Sequence, residues 1–286
     1  DGDAENRGSV PLAPENRERL EEYMAAFNQP QSTIALEQGD YANTGFTQWG
    51  ASGLAVAWAE ENTRDSIFKA FKRKETFATT GSRIAVRFFG GFDLSSIDLN
   101  SDNLVSDSYK KGVTMGADLM SDGDKTPEFI VWAQKDKNGA SLQRVQIIKG
   151  WMDTTSGRPS EKVYDIACSD GLDVDPVTHR CPDNGARVNI ADCSISKNVG
   201  SSELKTLWRD PEFKSSDKSF YYVRVLENPT CRWSTWDAIK RGFKPREDLH
   251  DTIQERAWSS PIWFIPDPSD VVVVPLGGTV PIRNTN

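Results

Sequence analysis

Residues Trp49 to Gly90 constrain the fold of this chain most, because this one stretch switches from helical to strand periodicity. Asn62 stands just before an apolar pattern and Asp65 follows three residues on, which reads as an N-cap with an acidic first turn. Ile67, Phe68 and Phe71 then recur at helical spacing with Ala70 beside them, so the spacing predicts an amphipathic helix with those rings inward. Lys69, Lys72, Arg73 and Lys74 fill the other side and the last turn, where cations suit the helix C-terminus. Thr76 and Phe77 begin an extended link, and Gly81 permits a turn that a residue with a Cβ resists. From there Ile84, Val86 and Phe88 alternate with Arg83, Ala85 and Arg87, which is a strand period. Glu60 and Glu61 form an acidic pair before the helix. Adjacent helical residues do not face the same way, so their first reading is helix-start electrostatics or a salt bridge, with the edge of a cleft as the alternative.

The 286 residues suffice for one large or two moderate domains, and 37% hydrophobic with 27% charged residues fits a folded chain. A formal net charge of -8 argues against nucleic acid as a partner. Lys72–Arg73–Lys74 is a short run on a solvated helix face and does not change that. The small-apolar run Leu54 to Ala59 is too short to span a bilayer, and neither a transmembrane stretch nor a signal peptide is present. The chain begins DGDAENRGS without Met, as a processed or truncated product would.

Four cysteines, Cys168, Cys181, Cys193 and Cys231, crowd into one region. An even number so placed predicts two disulfides and an oxidising, periplasmic or extracellular compartment; the three pairings stay open. A zinc site from Cys168, His179, Cys181 and Cys193 is the alternative, but the spacing matches no CxxC finger and leaves Cys231 over. The chain has only two histidines, His179 and His250. That shortage excludes a two-metal hydrolase centre within it. No G-x-S-x-G elbow, H-E-x-x-H helix, P-loop or dinucleotide fingerprint occurs. DLMSDGDK at 118–125 lacks the terminal Glu of an EF-hand loop and reads as a turn.

Along the chain, Pro14 to Phe27 reads as a helix and residues 31–50 as loop. A short strand is expected within Tyr109–Gly116. Phe129–Ala133 and Leu142–Lys149 flank the Asn138–Gly139 turn signal and look like a hairpin. Lys162–Ala167 reads as a strand and Glu203–Trp208 as a short helix ended by Pro211. Phe220–Leu226 is a strand with Tyr221, Val223 and Val225 on one face and Phe220, Tyr222 and Leu226 nearer the other. WDAIKRG reads as one helical turn. Ala257–Phe264 is a strand that Pro261 interrupts, as at an edge or bulge. Val271–Val274 adds an edge strand or stays loose. Six or seven strands at irregular spacing after residue 83 match a β-sandwich with long connections.

WAEENTRDSIFKAFKRKETFATTGSRIAVRFFGG, GASLQRVQIIKGW, YYVRVLENPTCRWSTWDA and IQERAWSSPIW occur in that order between residues 49 and 264. In these motifs the chain resembles the carboxyl-terminal part of the domain-of-unknown-function family 3604, which looks like a branch of the PHP-type metallohydrolases, named for polymerase and histidinol phosphatase. The resemblance implies an amino-terminal distorted α/β barrel whose His, Asp and Glu ligands hold divalent metals. Those motifs would lie upstream of Asp1, so no catalytic residue and no metal ligand is carried over to this chain. Asn62–Lys74 would be the last barrel helix and Thr79–Thr80–Gly81 the link to a β-rich domain. Cys231 stands where relatives often have proline, which supports a local disulfide.

The domains expected are therefore 1–80, a barrel remnant with polar loops and the last helix; 81–266, a mainly β, sandwich-like domain; and 267–286, a tail. Glu60, Glu61 and Arg83 would approach the mouth of the barrel, there to touch substrate, orient a ligand or pack between domains; Arg232, Trp233 and Arg256 are polar-aromatic candidates for the same boundary. Two functions follow from different classes. One is a non-catalytic portion of an exported metal-dependent hydrolase acting on small phosphoester or related ester substrates, with the upstream barrel as its partner. The other is a stand-alone β-domain that binds carbohydrate or protein through exposed aromatic rings.

Overall fold

The computed structural model describes residues 33–36, 39–42, 52–152, 157–242, 244–245 and 247–268. The expected helix at Pro14–Phe27 and the apolar run Val271–Val274 lie outside them. In chain order the elements are β1 (Thr33–Leu36), β2 (Gly39–Ala42), β3 (Leu54–Ala57), α1 (Arg64–Arg73), β4 (Thr76–Thr79), β5 (Ala85–Gly91), α2 (Leu104–Lys111), β6 (Gly112–Thr114), β7 (Asp118–Met120) and β8 (Glu128–Gln134). There follow β9 (Leu142–Met152), β10 (Pro159–Cys168), β11 (Val188–Asn189), β12 (Ser194–Ile195), β13 (Glu203–Arg209), β14 (Ser219–Glu227), β15 (Thr230–Cys231), α3 (Trp233–Lys240), β16 (Thr252–Ile253), β17 (Arg256–Ser259) and β18 (Ile262–Ile265).

The protein is mainly β. An eight-stranded sheet runs β10-β9-β14-β17-β4-β3, with β18 on β14 and β7 on β18, and a four-stranded sheet runs β13-β8-β5-β6; neither closes into a barrel. One core lies between them. Val86 and Phe88 of β5 and Phe129 and Val131 of β8 meet Val145 and Ile147 of β9 and Tyr221 and Val223 of β14. Alternation is the cause: residues two apart share a face, so each strand gives one row to this core. A second cluster, Phe89, Leu94, Ile97, Leu104 and Ile130, covers the outer face of the smaller sheet with help from α2.

Several expectations need correction. β8 and β9 do not form a hairpin, because they belong to different sheets; the Asn138–Gly139 turn carries the chain from one sheet to the other. Glu203–Arg209 is strand, not helix, paired with β8 from Glu203↔Gln134 to Arg209↔Glu128. Leu204 and Trp208 pack on the main core while Leu207 packs on the second cluster. That two-sided burial suits a period of two. The segment 31–50, expected as loop, holds the antiparallel pair β1–β2. Within 109–116, helix continues to Lys111 before the short β6. WDAIKRG extends to the eight-residue α3. Pro261 does split the last strand, into β17 and β18.

Helix α1 forms where expected, but Thr63 caps it: its side chain accepts from the Ser66 N–H at 3.3 Å. Lys74 closes it in the left-handed region, φ 58°. The buried residues are Ser66 and Ala70, whereas Phe68 is 61% and Phe71 53% exposed. The small Ser66–Ala70 face lets the helix lie close to the protein body, and the two rings turn outward. Gly81 takes φ 138°, so the turn does need glycine.

Candidate functional site

The outer face of the large sheet carries a row of rings. In β14, Tyr221, Val223 and Val225 point into the core, so Phe220 and Tyr222 point out. Register places Phe220 between Gly150 of β9 and Trp263 of β18. Phe220 lies 5.1 Å from Trp263 and stacks with Tyr222 at 6.4 Å and 14°. Gly150 makes the flat arrangement possible: a Cβ there would sit 2.3 Å from Phe220 Cζ. Trp263 is 36% exposed. A groove of about 420 Å³ runs beside the rings, lined by Gly150, Pro159, Glu161, Lys218, Phe220 and Trp263. Burial, then the charge of Glu161, pushes the Tyr222 phenol up, so it stays a neutral hydroxyl. The surface thus offers apolar ring faces with a carboxylate, an ammonium and a hydroxyl at its rim. That combination suits a ligand with one apolar face and many hydroxyls.

At the other end of the same face, the segment after β10 is tied down. Cys168 pairs with Cys181, and Cys193 with Cys231. The Cys181 N–H donates to Asp165 Oδ2 at 2.7 Å, and Gln146 Nε2 donates to Asp165 Oδ1 at 2.6 Å. All four expected cysteines are therefore disulfide-bonded rather than metal-bound. Two disulfides are consistent with an oxidising environment. His179, the other member of the zinc alternative, packs its ring edge-on against Tyr164 at 5.1 Å.

The structure scatters the residues expected at the domain boundary. Glu60 pairs with Arg73 at 3.1 Å and accepts from Ser66 Oγ at 3.0 Å. Its own backbone N–H and then Ser66 hold its carboxyl below the usual range. The Glu61 backbone N–H donates to the same Ser66 Oγ at 3.1 Å. The Arg83 N–H donates to Asp136 Oδ2 at 2.7 Å. Arg232 is buried, lies over the Trp233 ring at 5.1 Å and donates to Ser234 Oγ at 2.7 Å. Arg256 lies 5.9 Å from the Trp258 ring, and its Nε donates to the Gln254 carbonyl at 3.1 Å. Among the described residues Glu60 lines a cleft of about 680 Å³, and Arg256 lines another of about 490 Å³ beside His250. The ring row was missed as a site, although the Phe220/Tyr222 alternation put both on the outward face; Trp263 joins them only through sheet pairing.

Among the described residues no group of three or more His, Cys, Asp or Glu is placed to hold a metal. No helix among them is long and apolar enough to cross a membrane. A family model described as a protein of unknown function (DUF3604) matches residues 15–266. Neither a curated protein nor a solved structure matches the chain.

Proposed function

The chain belongs to the family of unknown function DUF3604, and from that premise we propose that it is a binding β-sandwich whose Phe220–Tyr222–Trp263 surface takes carbohydrate. The observation that carries this reading is the exposed ring row seated over Gly150 beside a polar-rimmed groove. Aromatic faces accept the C–H face of a sugar ring, while Glu161, Lys218 and the Tyr222 hydroxyl supply partners for its hydroxyl groups. An oxidising periplasmic or extracellular location, supported by the two disulfides, would expose the protein to polysaccharide. Affinity electrophoresis through gels containing neutral polysaccharides (xylan, mixed-linkage glucan) tests it. Retarded migration that Trp263→Ala abolishes, at unchanged thermal stability, is the expected result. Unretarded migration in every gel would overturn it.

A second reading follows from the resemblance to PHP-type metallohydrolases: the chain is the non-catalytic portion of an exported hydrolase whose upstream barrel holds divalent metals. The exposed Phe68 and Phe71 on α1 favour it, because they offer an apolar face where the barrel remnant was expected. Native purification with metal analysis separates the two. A co-purifying amino-terminal fragment carrying divalent metal supports the hydrolase; isolated, metal-free protein that still binds polysaccharide supports the binding domain alone.

A further inference from the structure

We infer that the cleft framed by Trp58, Arg73, Arg87 and Tyr109 is a binding site for a small organic carboxylate, with Glu60 as the resident stand-in for the ligand's anion. The cleft measures about 680 Å³, within the roughly 300–1,000 Å³ usual for small-molecule sites. It shares no lining residue with the groove beside the ring row, and the inference rests on neither reading above.

Four elements build it. Trp58 follows β3, and its indole N–H donates to the Val86 carbonyl at 2.8 Å, which fixes the ring. Arg87 of β5 lies on that ring, 3.5 Å from its centroid. Stacking and ion pairing hold the guanidinium flat and reduce the entropy lost on binding. Arg73 closes α1, and Tyr109 comes from α2. Beneath them Glu75 is only 3% exposed. Its Oε1 accepts from the Tyr109 hydroxyl and from Thr114 Oγ1 at 3.3 Å, and lies 3.5 Å from Arg87 Nη1. Its Oε2 lies 3.4 Å from Arg73 Nη2.

Charge balance then selects the ligand. Two guanidinium groups face one buried carboxylate, Glu75. The second positive charge is met by Glu60, whose side chain is 67% exposed, through Arg73 Nη2 at 3.1 Å. The pair is exposed and screened by solvent, so a ligand anion displaces it at small cost. With Glu60 moved aside, the cleft carries one net positive charge. That matches a monoanionic carboxylate and leaves a phosphate dianion overcharged. Donors also remain for it. Among the described residues, Arg87 Nε and Nη2 and Arg73 Nη1 make no hydrogen bond, and a planar guanidinium edge pairs with a carboxylate two bonds at a time. Val113 and Ala117 supply an apolar wall for the body of the ligand.

The test uses benzoate as probe, its uncharged isostere benzamide, and inorganic phosphate, read by titration calorimetry and by the ¹⁵N indole resonance of Trp58. Saturable benzoate binding that shifts this resonance is expected, with benzamide and phosphate weaker by roughly tenfold or more. Arg73→Ala should weaken benzoate roughly tenfold, and Glu60→Gln, which removes the competing internal anion, should tighten it about threefold. Equal binding of benzamide or tighter binding of phosphate would overturn the assignment, as would unchanged or weaker benzoate binding in Glu60→Gln. No saturation with benzoate would do the same. Should Arg73→Ala fail to fold, the benzamide comparison and Glu60→Gln still decide.

Discussion

Glu227 shows how one side chain sets a pH response. It ends β14, is 1% exposed, and its Oε1 has no hydrogen-bond partner among the described residues. A Cβ on Gly139 would sit 2.9 Å from that oxygen, so glycine there makes room for the carboxyl. Burial, then the charge of Glu255, pushes this carboxyl up to about 7. The unfolded chain releases the same proton near pH 4.3. Between those values the folded state holds more protons, so stability is full below about pH 4.3 and is lost as pH rises through 7. Glu227→Gln should remove that loss: equal to the parent at pH 4 and more stable by about 3–4 kcal/mol at pH 8, in urea titrations at both pH values. The core holds a second charged group under different rules. Lys149 Nζ lies 2.5 Å from Asp210 Oδ2, both side chains are buried, and the Tyr221 hydroxyl donates to Asp210 at 2.8 Å. Burial, then the charge of Asp210, pushes the Tyr221 phenol far up. Asp210→Ala leaves a buried ammonium and should cost about 3–5 kcal/mol in the same assay, with part recovered when Lys149→Met is added.

Most of the longer strands were legible in the sequence; their partners were not. Phe220–Leu226 alternates so cleanly that its core side is read directly, and it holds in β14. Glu203–Trp208 misled because Leu207 interrupts the face that Glu203, Lys205 and Arg209 otherwise make polar, which blurs a period of two. Asn138–Gly139 marked a real turn, but a turn signal is local and does not say that the next strand joins another sheet. In α1 the ring spacing was right and the buried side wrong, since the helix packs through Ser66 and Ala70. The ring row needs Gly150, Phe220 and Trp263 from three strands, a juxtaposition that only pairing creates. The cysteine segment was read from chemistry alone: few apolar residues, four thiols, shape by cross-link. Its two bridges differ in reach, closing separations of 13 and 38 residues. Chain entropy then predicts that replacing Cys193 and Cys231 by Ala costs about 1 kcal/mol more than replacing Cys168 and Cys181, each pair costing about 2–4 kcal/mol. Urea midpoints of the two double variants, at equal transition slopes, check the order.

The sheet itself tests where the folding unit begins. A boundary at residue 80 separates β3 and β4 from everything later, yet β4 pairs with β17 from Phe77↔Ser259 to Thr79↔Ala257, and β3 pairs with β4. The Thr80 N–H donates to the Arg256 carbonyl at 3.0 Å and the Ser260 N–H to the Thr76 carbonyl at 2.9 Å. Phe77 is 5% exposed within the same core as Val86, Val223 and Ala257. Removing 52–80 would strip two strands from the large sheet, leave one edge of β17 unpaired, and uncover that core. Burying a phenylalanine contributes about 1.5–3 kcal/mol, a sizeable share of the ~5–15 kcal/mol that holds a domain together. Protein beginning at Ser52 should therefore unfold in one cooperative transition, whereas protein beginning at Gly81 should show none and exchange the β17 amides rapidly. Calorimetry with amide exchange on the two proteins distinguishes the cases. Equal melting of both would make residues 52–80 an appendage to a β-domain complete without them, and would favour their origin as the end of a separate barrel. Loss of the transition makes them strands of this sheet, so that Arg73 and Glu75 of the cleft belong to the same folding unit as Arg87 and Tyr109.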